Sequence, residues 1–357
     1  MNSPKLNVDE AKLNEFMGKA LADMGAAMNT SLILIGDRLG LYKAMAGAGP
    51  MTSQEVASKT GTSERYVREW LSAQAAGGYV SFDAASGKFT LPDEQAMALA
   101  VDNSPAFIPG AYQIIASTVL DEPTVRAAFK SGDGVGWHEH NCNLFEGTQR
   151  FFRPGYNAHL TNEWIPALAG VETKLKAGGT VADVGCGFGA STILMAQAYP
   201  NSKFFGFDYH APSIEWARAS AAKAGVSDRV TFEVVSSKAF PGKDYDMVAF
   251  FDCLHDMGYP VGASTHVRET LKPDGTWMIV EQFANDKLED NLNLVGRIFY
   301  AASTLVCTPA SLSQEVALGL GAQAGEARLR DVVTQGGFKR FRRATETPFN
   351  LILEARP

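Results

Sequence analysis

Apolar residues recur at three- and four-residue steps from about Glu10 to Ala46, with Leu13, Phe16, Met17, Leu21 and Met24 on one side, and this spacing predicts an amphipathic helix. A more apolar run, Leu32-Ile33-Leu34-Ile35, carries it towards Gly40-Leu41-Tyr42. Thr52-Ser53-Gln54-Glu55 has the form of a capping box and opens a short helix, Glu55 to Lys59, which Gly61 breaks. Ser63 is placed to cap the next helix, Glu64 to Ala76, whose Tyr66, Val67, Trp70 and Leu71 share a side; Gly77-Gly78 stops it. Tyr79–Phe82 and Lys88–Leu91 flank a turn holding Asp83 and Gly87, the pattern of a hairpin. Helix, short helix, helix and hairpin in that order predict a winged helix-turn-helix.

From Asp102 to about Leu168 the pattern is helical but irregular, with Trp137, Phe145, Phe151, Phe152, Tyr156 and Trp164 set among His138, His140 and His159. A regular α/β alternation follows. Strands are expected at Thr180–Val184, Lys203–Asp208, Val230–Val235, Tyr245–Phe251, Thr276–Phe283, Phe338–Arg343 and Phe349–Ala355. Helical stretches between the earlier ones imply a doubly wound parallel sheet. The last two are joined by too few residues for a crossover helix, so they should pair antiparallel. Three segments result: a winged-helix domain over 1–101, a helical linker and substrate cap over 102–168, and an α/β domain over 169–357.

Bulk properties narrow the function classes. A length of 357 residues allows two domains with separate cores, and 46% hydrophobic against 20% charged residues is ordinary for a globular chain. The net charge of −7 leaves no global field to attract phosphate backbones or anionic lipid. The start, Met1-Asn2-Ser3-Pro4-Lys5, runs into Asp9-Glu10 without an apolar signal-peptide core, and no apolar run is long enough to span a membrane. Cys142, Cys186, Cys253 and Cys307 are scattered without a C-x-x-C pair, which suits a reducing cytoplasm.

The most informative run is Val181-Ala182-Asp183-Val184-Gly185-Cys186-Gly187-Phe188-Gly189, a buried strand ending in a glycine loop that enters a helix. Missing side chains let the loop backbone approach a ligand at the helix N-terminus. Gly185-x-Gly187-x-x-Ala190 also satisfies the fingerprint of dinucleotide enzymes. Three features separate the readings. Asp183 puts a carboxylate at the strand end, suited to an ammonium group and useless to a pyrophosphate. The loop continues through Phe188-Gly189, and the sheet closes with a hairpin. Asp208, ending the next strand, suits ribose hydroxyls in either case.

"VADVGCGFGAST", "FFGFDYH" and "LKPDGTWMIVE" resemble the first, second and post-fourth motifs of class I methyltransferases, and the resemblance spans Thr180 to Pro357. It implies a Rossmann-like seven-stranded sheet and S-adenosylmethionine as cofactor, with S-adenosylhomocysteine as product. On that resemblance Asp183 and the loop Gly185, Cys186, Gly187 and Gly189 hold the methionine part, and Asp208 with Tyr209 the ribose. Many relatives place an acidic residue after the third strand for adenine; Val235-Ser236-Ser237-Lys238 stands there instead, leaving Ser236 and Ser237 as the candidates. Asp252, at the end of the fourth strand, is expected to face the cofactor.

That strand runs on into Cys253-Leu254-His255-Asp256, and strand ends line the ligand crevice of such sheets. A hydroxyl is a poor nucleophile until a base takes its proton, and histidine titrates in the right range. His255-Asp256 resembles the His-Asp pair of small-molecule O-methyltransferases with an N-terminal winged helix, in which Glu281 would occupy the place of the residue that orients the histidine. Either His255 is the base, or it caps the strand and shapes the pocket. The aromatics of 137–164 either line a pocket for an apolar or aromatic acceptor or fill the core. His138-Glu139-His140 with Cys142 lacks further ligands at familiar spacings, so no metal is expected.

Residues 1–100 hold 9 basic and 11 acidic side chains, a net −2 that lacks the footprint of a DNA-binding module. In the resembling enzymes this module builds a homodimer. The expectation is therefore a cytoplasmic, homodimeric methyltransferase acting on a small molecule, with DNA a disfavoured partner and no membrane partner. The rival is a cofactor-sensing transcription regulator that keeps the fold without catalysis. A nucleic-acid methyltransferase is disfavoured by the acidic charge and by the absence of an Asn-Pro-Pro-Tyr-type run.

Overall fold

The computed structural model describes residues 6–357, so the reading of Met1–Lys5 lies outside the described residues. The chain divides into two compact units, Met1–Ala116 and Ser117–Pro357.

In the first unit the long helix covers Glu10–Arg38, capped by Asp9, whose carboxylate accepts the N–H groups of Ala11 and Lys12. It ends earlier than the periodicity suggests. Gly40 takes φ +69°, a left-handed conformation that ends the helix, and a separate turn of helix follows at Leu41–Met45. Only the C-terminal half of the long helix is packed within the unit. Ile33 and Leu34 are buried, whereas Leu13, Phe16, Met17, Leu21, Met24 and Met28 are exposed. The core gathers Leu41, Tyr42, Met45, Val56, Val67, Trp70 and Leu71 around Ile33. Gly36 is required there, because a β-carbon would lie 2.5 Å from the Tyr42 ring and 2.6 Å from that of Trp70. Buried Gln74 is satisfied on both sides: it accepts from the Tyr42 hydroxyl (2.7 Å) and donates to Asn29 (2.6 Å).

The capping box forms as expected, with Thr52 Oγ1 accepting from Glu55 N (3.2 Å) and Glu55 returning to Thr52 N (2.6 Å). The helices cover Ser53–Thr60 and Glu64–Ala76, and the wing is an antiparallel pair, β1 (Ser81–Asp83) and β2 (Lys88–Thr90).

The second unit is built on seven strands: β3 (Thr180–Val184), β4 (Lys203–Asp208), β5 (Val230–Val234), β6 (Tyr245–Phe251), β7 (Leu271–Gln282), β8 (Arg340–Glu346) and β9 (Asn350–Arg356). Their spatial order is β5-β4-β3-β6-β7-β9-β8; the first five are parallel, and β9 and β8 are antiparallel to their neighbours. Alternate residues feed two cores. Val181, Met247, Ala249, Met278 and Val280 face one side; Ala182, Val184, Val248, Phe250, Trp277 and Ile279 face the other. This is why the central strands read as unbroken apolar runs.

The fifth strand of this sheet begins before the expected Thr276. Leu271 already pairs with Tyr245, and Lys272–Gly275 bulges out before Thr276 resumes pairing at Met247. The bulge is pinned by Lys272 to Asp246 (2.9 Å) and by Asp274 to Lys174 (2.6 Å). Within the preceding irregular region the helix Asn143–His159 runs into a wide π-type turn, Leu160–Trp164. Connections diverge on either side of β3, which places a crevice at its carboxyl end.

Candidate functional site

The glycine loop after β3 is built by close approach. Gly185, Gly187 and Gly189 all have positive φ (75°, 51° and 79°). A β-carbon on Gly189 would lie 2.6 Å from the Phe232 ring; at Gly187 no described atom lies within 4 Å, so that position is open. The N–H groups of Gly185 and Cys186 both bond Phe207 O, tying the loop to the end of β4 (2.8 and 3.1 Å).

The loop forms one wall of a cavity of about 1070 Å³, counting its open mouth. Its lining includes Gly185, Cys186, Gly187, Asp208 and Tyr209, the group Asp252, Cys253, Asp256 and Met257 after β6, here termed the floor, and the rings of Trp137, Phe145, Phe152 and Tyr156. The aromatic segment thus divides: those four rings reach the cavity, while Trp164 is fully buried in the core.

Asp183 stands behind the loop and is not part of the cavity lining. It is fully buried, and its Oδ2 accepts from the hydroxyls of Ser191 and Thr192, both at 2.6 Å, which clamps the strand end to the next helix. Its Oδ1 has no hydrogen-bond partner among the described residues. Burial raises its pKa to about 6, against the lowering effect of the two hydroxyls. Asp208 accepts from Gly187 N (2.9 Å) and His210 N (2.8 Å), so one carboxylate shapes both sides of the rim; burial raises its pKa too.

Ser236 and Ser237 follow β5 but do not line the cavity; Ser236 is exposed. Asp252 has φ +51°, a strained conformation for a non-glycine residue and one that often marks a functional site. Its carboxylate accepts from the Tyr156 hydroxyl (3.1 Å) and from Asn350 (3.3 Å). Burial, reinforced by Glu281, raises its pKa to about 8.

His255 is buried behind the floor and is not itself part of the lining. Its Nδ1 donates to Glu281 Oε2, while Glu281 Oε1 accepts from Leu254 N (2.9 Å). Nε2 lies 3.0 Å from Asp256 Oδ1, an ion-pair contact without the alignment of a hydrogen bond. Burial alone would lower the ring's pKa, but Asp256 and Glu281 outweigh it and hold the ring well above its ordinary value.

Pattern alone did not reveal Asp256 as the cavity-facing member of this group, nor the Tyr156–Asp252–Asn350 link or the proximity of Cys307, whose partners are 51 to 98 residues apart in the chain. Glu326 binds Arg330 and Arg343. Buried His140 bonds Asp121 through Nδ1 (3.0 Å), and His138 is exposed.

Comparison with known proteins bears on the domains and the fold. Residues 27–101 match the family described as Rv2258c-like winged HTH domain, and residues 175–321 match the Methyltransferase domain family. The chain is 31% identical over 141 residues to the 27-O-demethylrifamycin SV methyltransferase of Amycolatopsis mediterranei, covering 39% of this chain and 46% of that protein. It is 34% identical over 91 residues to the tRNA (guanine-N(7)-)-methyltransferase of Edwardsiella ictaluri, covering 24% of this chain and 36% of that one. The chain spans about half or less of the length of the curated relatives it matches. Human N-acetylserotonin methyltransferase, solved in complex with SAM, superposes with a TM-score of 0.71 at 16% identity, covering 100% of this chain and 99% of that one. Among the described residues no helix is long and apolar enough to cross a membrane. The chain therefore joins a winged-helix domain to a methyltransferase domain and has the class I methyltransferase fold.

Proposed function

We propose that this chain transfers the methyl group of S-adenosylmethionine to the hydroxyl of a small-molecule acceptor. The observation that carries the proposal is the single cavity lined by the glycine loop and Asp208, by the Asp252–Asp256 floor and by four aromatic rings. It offers a nucleoside wall and an apolar acceptor wall within reach of one another.

The residues present fit the cofactor. Gly187 leaves an open cradle, Asp208 offers a carboxylate to ribose hydroxyls, and the helix beginning at Ala190 presents its N-terminus. Asp183 acts from behind, holding loop and helix together, with its unpartnered Oδ1 favouring positive charge nearby. When bound, the cofactor supplies a methyl group on a sulfonium, open to in-line displacement. Asp252 places a carboxylate in the cavity beside that charge. The acceptor's proton goes to the Asp256–His255 pair, with Asp256 on the cavity floor, His255 behind it and Glu281 fixing the ring. Proton acceptance is thus assigned to the pair rather than to His255 alone. Trp137, Phe145 and Phe152 favour a flat, apolar acceptor.

A small-molecule acceptor is preferred over RNA because the net charge is −7, and the tRNA-enzyme match covers only 24% of the chain. Residues 1–101 would serve a homodimer in the cytoplasm, 102–168 would cap the acceptor, and 169–357 would carry the chemistry. The exposed apolar stripe from Leu13 to Met28 supports the dimer.

Calorimetry with S-adenosylhomocysteine and with NAD tests the reading. Tight binding of the first is expected, and tight binding of NAD alone overturns it. The regulator alternative requires a salt-dependent duplex shift and no turnover on any acceptor.

A further inference from the structure

We propose that His255, Asp256 and Cys307 form a binding site for a divalent cation, zinc by the nature of the ligands, at the floor of the cavity. A ring nitrogen, a carboxylate oxygen and the thiol sulfur all lie within 4.8 Å of one another. Among the described residues no other trio of metal-binding side chains converges in this way. They come from two distant segments: the short helix Leu254–Asp256 after β6, and the π-type turn Ser303–Cys307. Such π-turns often accompany functional sites, and here the wider turn ends on the sulfur that completes the group.

Two further observations point to a ligand. Glu281 binds the Nδ1 hydrogen of His255, which fixes the ring and leaves Nε2, 3.0 Å from Asp256, as the ligand atom once the ion displaces its proton. A carboxylate behind a histidine is the usual support of a zinc-binding imidazole. In addition, Asp256 Oδ1 is buried without a hydrogen-bond partner among the described residues, although it lies 3.0 Å from Nε2. Nitrogen and oxygen ligands on one tetrahedral zinc lie roughly 3.3 Å apart, so the His255–Asp256 pair needs to open by only a few tenths of an ångström.

Ligand chemistry selects the ion. A thiolate with an imidazole and a single carboxylate suits zinc and other borderline-soft cations, whereas magnesium and calcium favour oxygen ligands throughout. Three protein ligands leave a fourth position, and of the three only Asp256 lines the cavity. An ion there occupies Nε2 and Asp256 and so withdraws them from the acceptor's proton. This consequence, a reversible metal brake, rests on the proposed methyl transfer; the binding does not.

The test uses the full chain, stripped with a chelator and titrated with Co²⁺ and then Zn²⁺. The expected result is a visible spectrum of tetrahedral cobalt with a sulfur charge-transfer band, both removed by Zn²⁺. Cys307→Ser should abolish that band and weaken Zn²⁺ in chelator competition by at least about tenfold. Cys142→Ser, at the exposed cysteine, should change neither. Circular dichroism checks that each variant folds, and if Cys307→Ser does not, Asp256→Asn should weaken Zn²⁺ likewise. An octahedral cobalt spectrum, or Zn²⁺ affinity unchanged in the folded variants, overturns the proposal. Failure to bind S-adenosylhomocysteine would defeat the functional reading while leaving these spectra as they are.

Discussion

Gly185 and Cys253 approach so closely that a β-carbon on the glycine would lie 2.7 Å from the cysteine sulfur. The contact locks the loop after β3 against the end of β6, and Gly185 also carries φ +75°. Gly185→Ala therefore meets both a clash and a left-handed backbone, and should lower stability by about 2 kcal/mol or more. Gly187→Ala meets only the backbone cost, about 1 kcal/mol, but places a methyl group on the open side of the loop. Thermal unfolding should rank Gly185→Ala as the less stable variant. Calorimetry with S-adenosylhomocysteine should show weakened binding in both.

Asp252 predicts a pH dependence of cofactor binding. Its carboxyl, raised to about 8 by burial and Glu281, is mostly neutral at pH 7 and ionises as the pH rises. A sulfonium favours the ionised form. S-adenosylmethionine should therefore gain on the uncharged thioether S-adenosylhomocysteine by ~5-fold as the pH rises through this value. Asp252→Asn should flatten that ratio. The same shift has a cost for folding. A carboxyl with a raised folded-state pKa binds its proton more tightly when folded, so its contribution to stability declines from the ordinary carboxylate range up to about 8 and is constant above. A ratio independent of pH in the wild-type chain would remove Asp252 from the cofactor's surroundings.

Around His255 the variants should separate turnover from binding. His255→Ala should lower kcat by about 10²-fold while retaining cofactor affinity, because the ring does not line the cavity. Glu281→Gln should also lower kcat, by less, since an amide oxygen can still accept one of the two hydrogens from Leu254 N and His255 Nδ1. Single-turnover kinetics with a methylated product read by mass would check both. A wild-type rate in His255→Ala would exclude it from proton transfer.

In the first unit, Thr52→Ala removes the hydroxyl that accepts from Glu55 N and should cost about 1 kcal/mol. The loss belongs to the helix Ser53–Thr60, so urea unfolding should reveal it while S-adenosylhomocysteine affinity is unchanged.

Much of the architecture was legible beforehand because it depends on local patterning. The runs Thr180–Val184, Lys203–Asp208 and Tyr245–Phe251 are strands with the expected bounds, since central parallel strands must be apolar on both faces. The capping box and the wing follow from hydrogen bonds between residues a few positions apart. Prediction failed where tertiary pairing overrides a local signal. Lys272-Pro273-Asp274-Gly275 has turn residues, yet it is a bulge inside β7 because Leu271 already pairs with Tyr245. The long helix stops at Arg38 because Gly40 takes a backbone angle that apolar periodicity does not encode.

The candidate site shows the same division. By itself the sequence determined the glycine loop and the strand-end carboxylates Asp183 and Asp208, since strand order and strand ends bring them to one edge of the sheet, while the pairing of His255 with Glu281 was implied by the family resemblance. Only the tertiary structure decided which way each group faces. It puts Asp183 behind the loop, Ser236 and Ser237 off the cavity, His255 beneath its floor and Asp256 on that floor, and it carries Cys307 in from 51 residues further along the chain. The reason is geometric: pattern fixes which face of an element is buried, whereas the direction of a side chain in a loop depends on what packs against it from elsewhere in the chain.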